Sequence, residues 1–121
     1  MVIFRPFKAV RPATQALSEK IASFPYDVIN SEEAREITKD NKYSFLHIVK
    51  PEIDLDPSID LYDEKVYATA KANFERFRKS KWLIQDEEPY YYVYRQLMGG
   101  RSQYGLVGCV SGEDYWADRI K

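Results

Sequence analysis

Hydrophobic positions change their period several times along this chain, and each change predicts an element. Leu17 and Ile21, four apart after Arg11-Pro12, predict a helix over about Thr14 to Ser23. Pro25 ends it, because it biases Phe24 away from the α region. A second helix is expected to start at Asn30 or Ser31 and to stop near Asp40-Asn41. Either residue serves as an N-cap, Glu33 lies three residues after Asn30 as in a capping box, and Glu32 suits the positive helix end. The longest helix opens at Asp60 or Asp63, with Val66, Tyr67, Ala70, Phe74 and Phe77 as an apolar stripe at helical spacing. Arg76, Arg78, Lys79 and Lys81 fall at its end and complement the helix dipole, reading as a solvated helix end rather than a phosphate site.

The β-type segments are shorter. Residues 2–5 alternate weakly and predict a short strand closed by Pro6, and Tyr43 to Val49 predicts another, bounded by Pro51. Glu52 to Asp60, with four acids and Pro57, reads as a surface loop. The clearest local pattern is a hairpin: Glu88 to Met98 and Arg101 to Ser111 are β-favouring runs separated by Gly99-Gly100, which suits a two-residue type I′ turn. That turn sets Tyr94 opposite Gly105, Tyr91 opposite Gly108 and Val93 opposite Leu106, with tyrosine rings over bare backbone. Glu113 to Lys121 contains Tyr115, Trp116 and Ile120 and has no capping stop, as though the chain were cut there. The expected fold is α+β: a mixed or antiparallel sheet with a C-terminal β-hairpin at about residues 88–111 and three helices packed on it. With no repeat and no flexible linker, residues 1–121 read as a single domain.

Composition narrows the class. A chain of 121 residues suffices for one hydrophobic core. Eighteen basic and nineteen acidic residues give a net charge of -1, so no bias toward nucleic acid or anionic membrane is expected. No apolar run approaches the roughly 20 residues needed to cross a bilayer, and the N-terminus lacks the features of a signal peptide. The single cysteine, Cys109, has no internal disulfide partner, which fits a reducing, cytoplasmic location. Ten tyrosines against five glycines suit half-buried sheet faces and ligand-facing surfaces alike.

The familiar catalytic motifs are missing: no phosphate-binding loop, no cysteine-histidine zinc set, and no nucleophile elbow. The residues that carry candidate chemistry are fewer. Asp27, in Phe24-Pro25-Tyr26-Asp27-Val28-Ile29-Asn30-Ser31, is an acid in an apolar setting just before a helix start. It reads either as a general base or ligand poised by partial burial, or as a turn residue accepting backbone N–H bonds. His47, between Phe45 and Val49 in the alternation, reads as a hydrogen-bonded structural residue or a catalytic one. Arg95-Gln96 and Arg101-Ser102-Gln103 form a second polar cluster, either an anion or amide site or a water-exposed hairpin tip. Cys109, flanked by Gly108 and Val110, reads as a small packed core residue rather than a nucleophile.

Several ordered blocks carry a resemblance. They are Ile3-Phe4-Arg5-Pro6-Phe7 with Arg11-Pro12, Pro25-Tyr26-Asp27-Val28-Ile29, and Tyr43 through Glu52. Tyr92-Val93-Tyr94-Arg95-Gln96, Gly100 through Leu106 and Arg119-Ile120-Lys121 complete the set. Together they resemble the N-terminal part of a bacterial and archaeal family known as domain of unknown function 1015. Full-length members are longer and carry an Asp-Gly-His-His-Arg motif, similar to the nucleotide-handling motif of the partition-protein-like superfamily that includes free-serine kinases. The resemblance implies phosphoryl transfer or nucleotide hydrolysis by the full-length protein, with ATP or ADP and Mg as its cofactors. That motif is absent from these 121 residues.

On this resemblance the chain is expected to be the N-terminal fragment of a phosphotransferase acting on a small hydroxyl substrate, inactive in isolation. Asp27 matches the base of the kinase relatives; His47 is expected as a second catalytic residue, and Arg95, Arg101 and Gln103 as cofactor-binding residues of the same wall. The remaining C-terminal part of the full-length chain would be its partner. The alternative is a non-enzymatic interaction or ligand-binding module that uses the tyrosine-rich hairpin. Neither nucleic acid nor membrane is expected as a partner, since single-strand binding by stacked tyrosines needs a basic groove that this chain lacks. Assembly into a homo-oligomer is left open.

Overall fold

Short polar side chains fix where the helices begin. The computed structural model describes residues 2–118, and the chain divides into two compact units, residues 11–84 and residues 1–10 with 85–121. In the first unit, Thr14 caps α1 (Gln15–Ile21) by accepting from the Leu17 N–H at 3.2 Å. Asn30 caps α2 (Ser31–Thr38), accepting from the Glu33 N–H at 2.8 Å while its own amide donates to the Glu33 carboxylate at 2.7 Å. Both helices lie where their caps and the following proline or polar residues predict.

Residues 43–49 depart from expectation. They form a turn and a short helix, α3 (Leu46–Val49), in place of a strand. Leu46 is fully buried while Phe45 stands 37 % exposed, so burial follows a helical path and the alternation of Phe45, His47 and Val49 is not used. A short apolar run leaves its own period undetermined, and here long-range packing sets it. The next segment also differs. Pro51–Asp54 forms a 3-10 turn in which Pro51, Glu52 and Ile53 are buried, where an exposed acidic loop was expected. Ile53 joins Ile29, Ala34 and Leu46 in the core cluster, with Val49 packed against it.

Asp63 caps α4 (Glu64–Lys79) by accepting from the Lys65 N–H at 2.9 Å, as its position predicts. The helix buries Val66 and Phe77, but Tyr67 is exposed, so the apolar stripe is narrower than its spacing suggests. The helix ends in a Schellman arrangement: the Trp82 N–H donates to Phe77 and the Lys81 N–H to Arg78, with Lys81 at a φ of 62°. Trp82 then stacks on Tyr43 at 3.8 Å between ring centres, and the Arg76 guanidinium lies over Tyr43 at 5.1 Å. Arg76 thus serves packing at the helix end, and it also donates to the Lys42 carbonyl at 2.9 Å. β1 (Val10–Pro12) and β2 (Leu83–Gln85) pair as a two-stranded sheet.

In the second unit, β3 (Tyr92–Met98) and β4 (Arg101–Val107) form the predicted antiparallel hairpin, with Tyr94 opposite Gly105 and Val93 opposite Leu106. Gly99 and Gly100 have φ of 56° and 77°, the left-handed pair that a type I′ turn requires. Tyr94 lies against Gly105, with ring and Cβ carbons 3.9 Å from where a Gly105 Cβ would stand. Gly108 meets a different ring: a Cβ there would collide with Phe4, which stacks on Tyr91 at 5.4 Å. Residues 2–5 make no strand. Arg5 and Phe7 instead form isolated bridges to Cys109 and Tyr90 on either side of Pro6. Cys109 is exposed, in contrast to the packed position expected of it. Ser111 caps α5 (Gly112–Trp116), and the Arg119-Ile120-Lys121 block lies outside the described residues. The fold is α+β, with α3 and α5 added to the three expected helices.

Candidate functional site

Asp27 sits at the corner of a turn closed by the Val28 N–H donating to the Pro25 carbonyl at 3.3 Å. Ile29, the residue after the turn, is buried in the core cluster and pins it. Among the described residues, no hydrogen bond or ion pair reaches the Asp27 carboxylate, and the residue is exposed. Neither partial burial nor backbone capping therefore occupies it. It stands on the wall of a cavity of about 630 Å³, built within residues 11–84.

Three segments make the rest of that wall. One is the end of α3 and the 3-10 turn, through Ile48, Lys50 and Glu52; the others are Leu61-Tyr62 and the first turns of α4, through Tyr67. The Lys50 ammonium donates to the Tyr26 carbonyl at 3.4 Å and lies 3.4 Å from Glu52 Oε1, which ties the Asp27 turn to the 3-10 turn. Glu52 Oε1 also accepts from Ser31 Oγ at 2.9 Å, at the first turn of α2, where the helix dipole favours a carboxylate. The Arg35 guanidinium donates to the Glu52 carbonyl at 2.9 Å. With Glu52 only 6 % exposed, an unpaired charge would be costly there, and Lys50 and Ser31 supply the compensation.

His47 is not among the residues that line the cavity. Its Nδ1 is 2.9 Å from both Asp54 carboxylate oxygens and its Nε2 is 2.9 Å from the Asn41 carbonyl oxygen. A carbonyl can only accept, so Nε2 carries a proton, and neither nitrogen keeps a lone pair free for substrate or metal. The Asn73 amide, on α4, donates to the His47 carbonyl at 2.7 Å and to Asp54 at 2.9 Å. Through these bonds α3, the 3-10 turn and α4 are tied together.

The polar residues of the hairpin belong to the other unit. The Arg95 guanidinium donates to Ser102 Oγ at 3.3 Å and lies over the Tyr104 ring at 6.0 Å. Arg95 pairs with Tyr104, whereas Gln103 pairs with Gln96 and Arg101 with Met98. Side chains alternate across a strand, so Arg95 occupies one face of the ribbon and Arg101 and Gln103 the other. Sequence reasoning did not single out Lys50 and Glu52. Their only signal is a pair of opposite charges flanking Pro51, and their importance comes from contacts to residues more than twenty positions away.

No group of three His, Cys, Asp or Glu residues able to hold a metal ion occurs among the described residues, and none of their helices is long and apolar enough to cross a membrane. No curated protein and no solved structure matches the chain. One family model does, over residues 4–121, described as protein of unknown function (DUF1015). With nearly its whole length matched, and with the blocks around Asp27, α3 and the hairpin inside the match, the chain belongs to the DUF1015 family.

Proposed function

We propose that this chain supplies the substrate wall of a phosphotransferase that acts on a small hydroxyl compound, with Asp27 as general base. The observation that supports it is an uncommitted carboxylate on the wall of a cavity large enough for such a compound. Asp27 takes the hydroxyl proton as the hydroxyl oxygen bonds to the γ-phosphorus of a bound nucleoside triphosphate; the bond to the bridging oxygen breaks and a nucleoside diphosphate leaves. Magnesium and the groups that hold the triphosphate come from parts of the protein outside these residues. His47 is a positioning residue in this scheme, since both its ring nitrogens are already engaged. The test is Asp27→Asn in the full-length protein. Turnover should fall by about 100-fold or more, the scale of losing a general base, while the melting temperature stays unchanged. Turnover at the wild-type rate in that variant defeats the reading.

A second reading rests on the hairpin. Val93, Leu97, Tyr104 and Leu106 share one face of the ribbon with Arg95 and Ser102, and each of the four is more than 60 % exposed. A face of four exposed apolar side chains around one arginine suits docking to another protein. Leu106→Glu should then abolish capture of that protein without lowering the melting temperature, and unchanged capture argues against docking there.

A further inference from the structure

Two features of the Asp27 cavity are left unused by a base and a hydroxyl alone. The first is aromatic. Tyr26, Tyr62 and Tyr67 all line the cavity, and none of their side chains has a hydrogen-bond or ring partner among the described residues. The second is acidic. Glu52 is more than nine-tenths buried, yet only its Oε1 is engaged; Oε2 has no partner among the described residues, and neither does the Asp27 carboxylate. Against these stands one cation, Lys50, already held by Glu52 and the Tyr26 carbonyl. An anion entering this cavity meets two carboxylates. A bare metal ion prefers a cage of oxygens to the faces of phenol rings. An organic ammonium suits both features, because ring faces attract cations through their quadrupole and the free carboxylate oxygens add charge attraction.

We infer that the cavity binds a small alkylammonium alcohol, its cationic head among the tyrosine rings and the Glu52 carboxylate and its hydroxyl toward Asp27. This rests on the phosphotransferase reading for the role of the hydroxyl, and on the cavity lining alone for the cation. The probe is choline chloride, compared with its neutral carbon isostere 3,3-dimethylbutan-1-ol. Both are titrated into the protein at constant ionic strength without nucleotide, by calorimetry and by amide chemical shifts. Choline should saturate, and the isostere should bind about tenfold more weakly or worse. Tyr67→Ala and Asp27→Asn, both at exposed positions, should each weaken choline about fivefold with the melting temperature unchanged. Equal binding of the isostere, no saturable choline binding, or an unchanged choline affinity in both variants each overturns the inference. The two ideas fail separately. Turnover of a neutral alcohol without choline binding removes only the cation, whereas choline binding with full turnover in Asp27→Asn removes only the base.

Discussion

At the scale of single residues, Asp27 and His47 carry opposite kinds of information. Asp27 is exposed with an unengaged carboxylate, so its loss has nothing to disrupt, and Asp27→Asn should change stability by less than about 0.5 kcal/mol. His47 is 8 % exposed, with the Asp54 carboxylate at one ring nitrogen and the Asn41 carbonyl at the other. Removing the ring leaves the Asn41 carbonyl without its partner and takes the imidazole from the Asp54 carboxylate. His47→Ala should therefore cost about 2 kcal/mol of unfolding free energy, read as a lower urea midpoint at unchanged slope. A variant as stable as the wild type shows that the Asn41 and Asp54 contacts contribute nothing. This contrast was only half legible in the sequence. The position of Asp27 before a capped helix marks it out, but the partners of His47 lie six and seven residues away, at a range that alternation patterns do not report.

Among the elements, legibility follows the range of the forces that set them. The starts of α2 and α4 depend on Asn30 and Asp63 binding N–H groups within three residues, and the hairpin depends on two adjacent glycines, so all three were readable. The helix α3 and the turn after it depend on burying Leu46 and Ile53 against Ile29 and Ala34, which no local pattern records. The hairpin register sets Tyr91 opposite Gly108 and predicts its ring there, yet the ring that covers Gly108 comes from Phe4, at the other end of the chain, which stacks on Tyr91. The end of α4 offers a test with an unusual sign. Lys81 holds a left-handed backbone that costs an L-residue roughly 1–2 kcal/mol, where glycine is the common choice. After allowing for the extra freedom of glycine in the unfolded chain, Lys81→Gly should stabilise the protein by about 0.5–1 kcal/mol in thermal unfolding. A lower melting temperature contradicts that backbone assignment.

For the molecule as a whole, burial is unevenly shared. Every buried apolar side chain among the described residues lies in residues 11–84, from Ile21 to Leu83, and residues 1–10 with 85–118 hold none. The hairpin is held by its ladder, by the Phe4–Tyr91 stack and by the Tyr92 hydroxyl, which accepts from the Ala9 N–H at 3.0 Å and donates to Asp86 at 2.6 Å. A two-stranded ribbon with so little buried area is marginally stable by itself. Its amides should therefore exchange through local openings of low free energy, while those in the middle of α4 wait for global unfolding. In native-state hydrogen exchange, protection in β3 and β4 is expected to be lower than in α4 by about two orders of magnitude. A protein that docks on the Val93–Leu106 face would raise hairpin protection toward the α4 level while leaving α4 unchanged. If the hairpin of the free protein exchanges as slowly as α4, the ribbon needs no cover for stability, and its exposed apolar face loses its force as a sign of a missing partner.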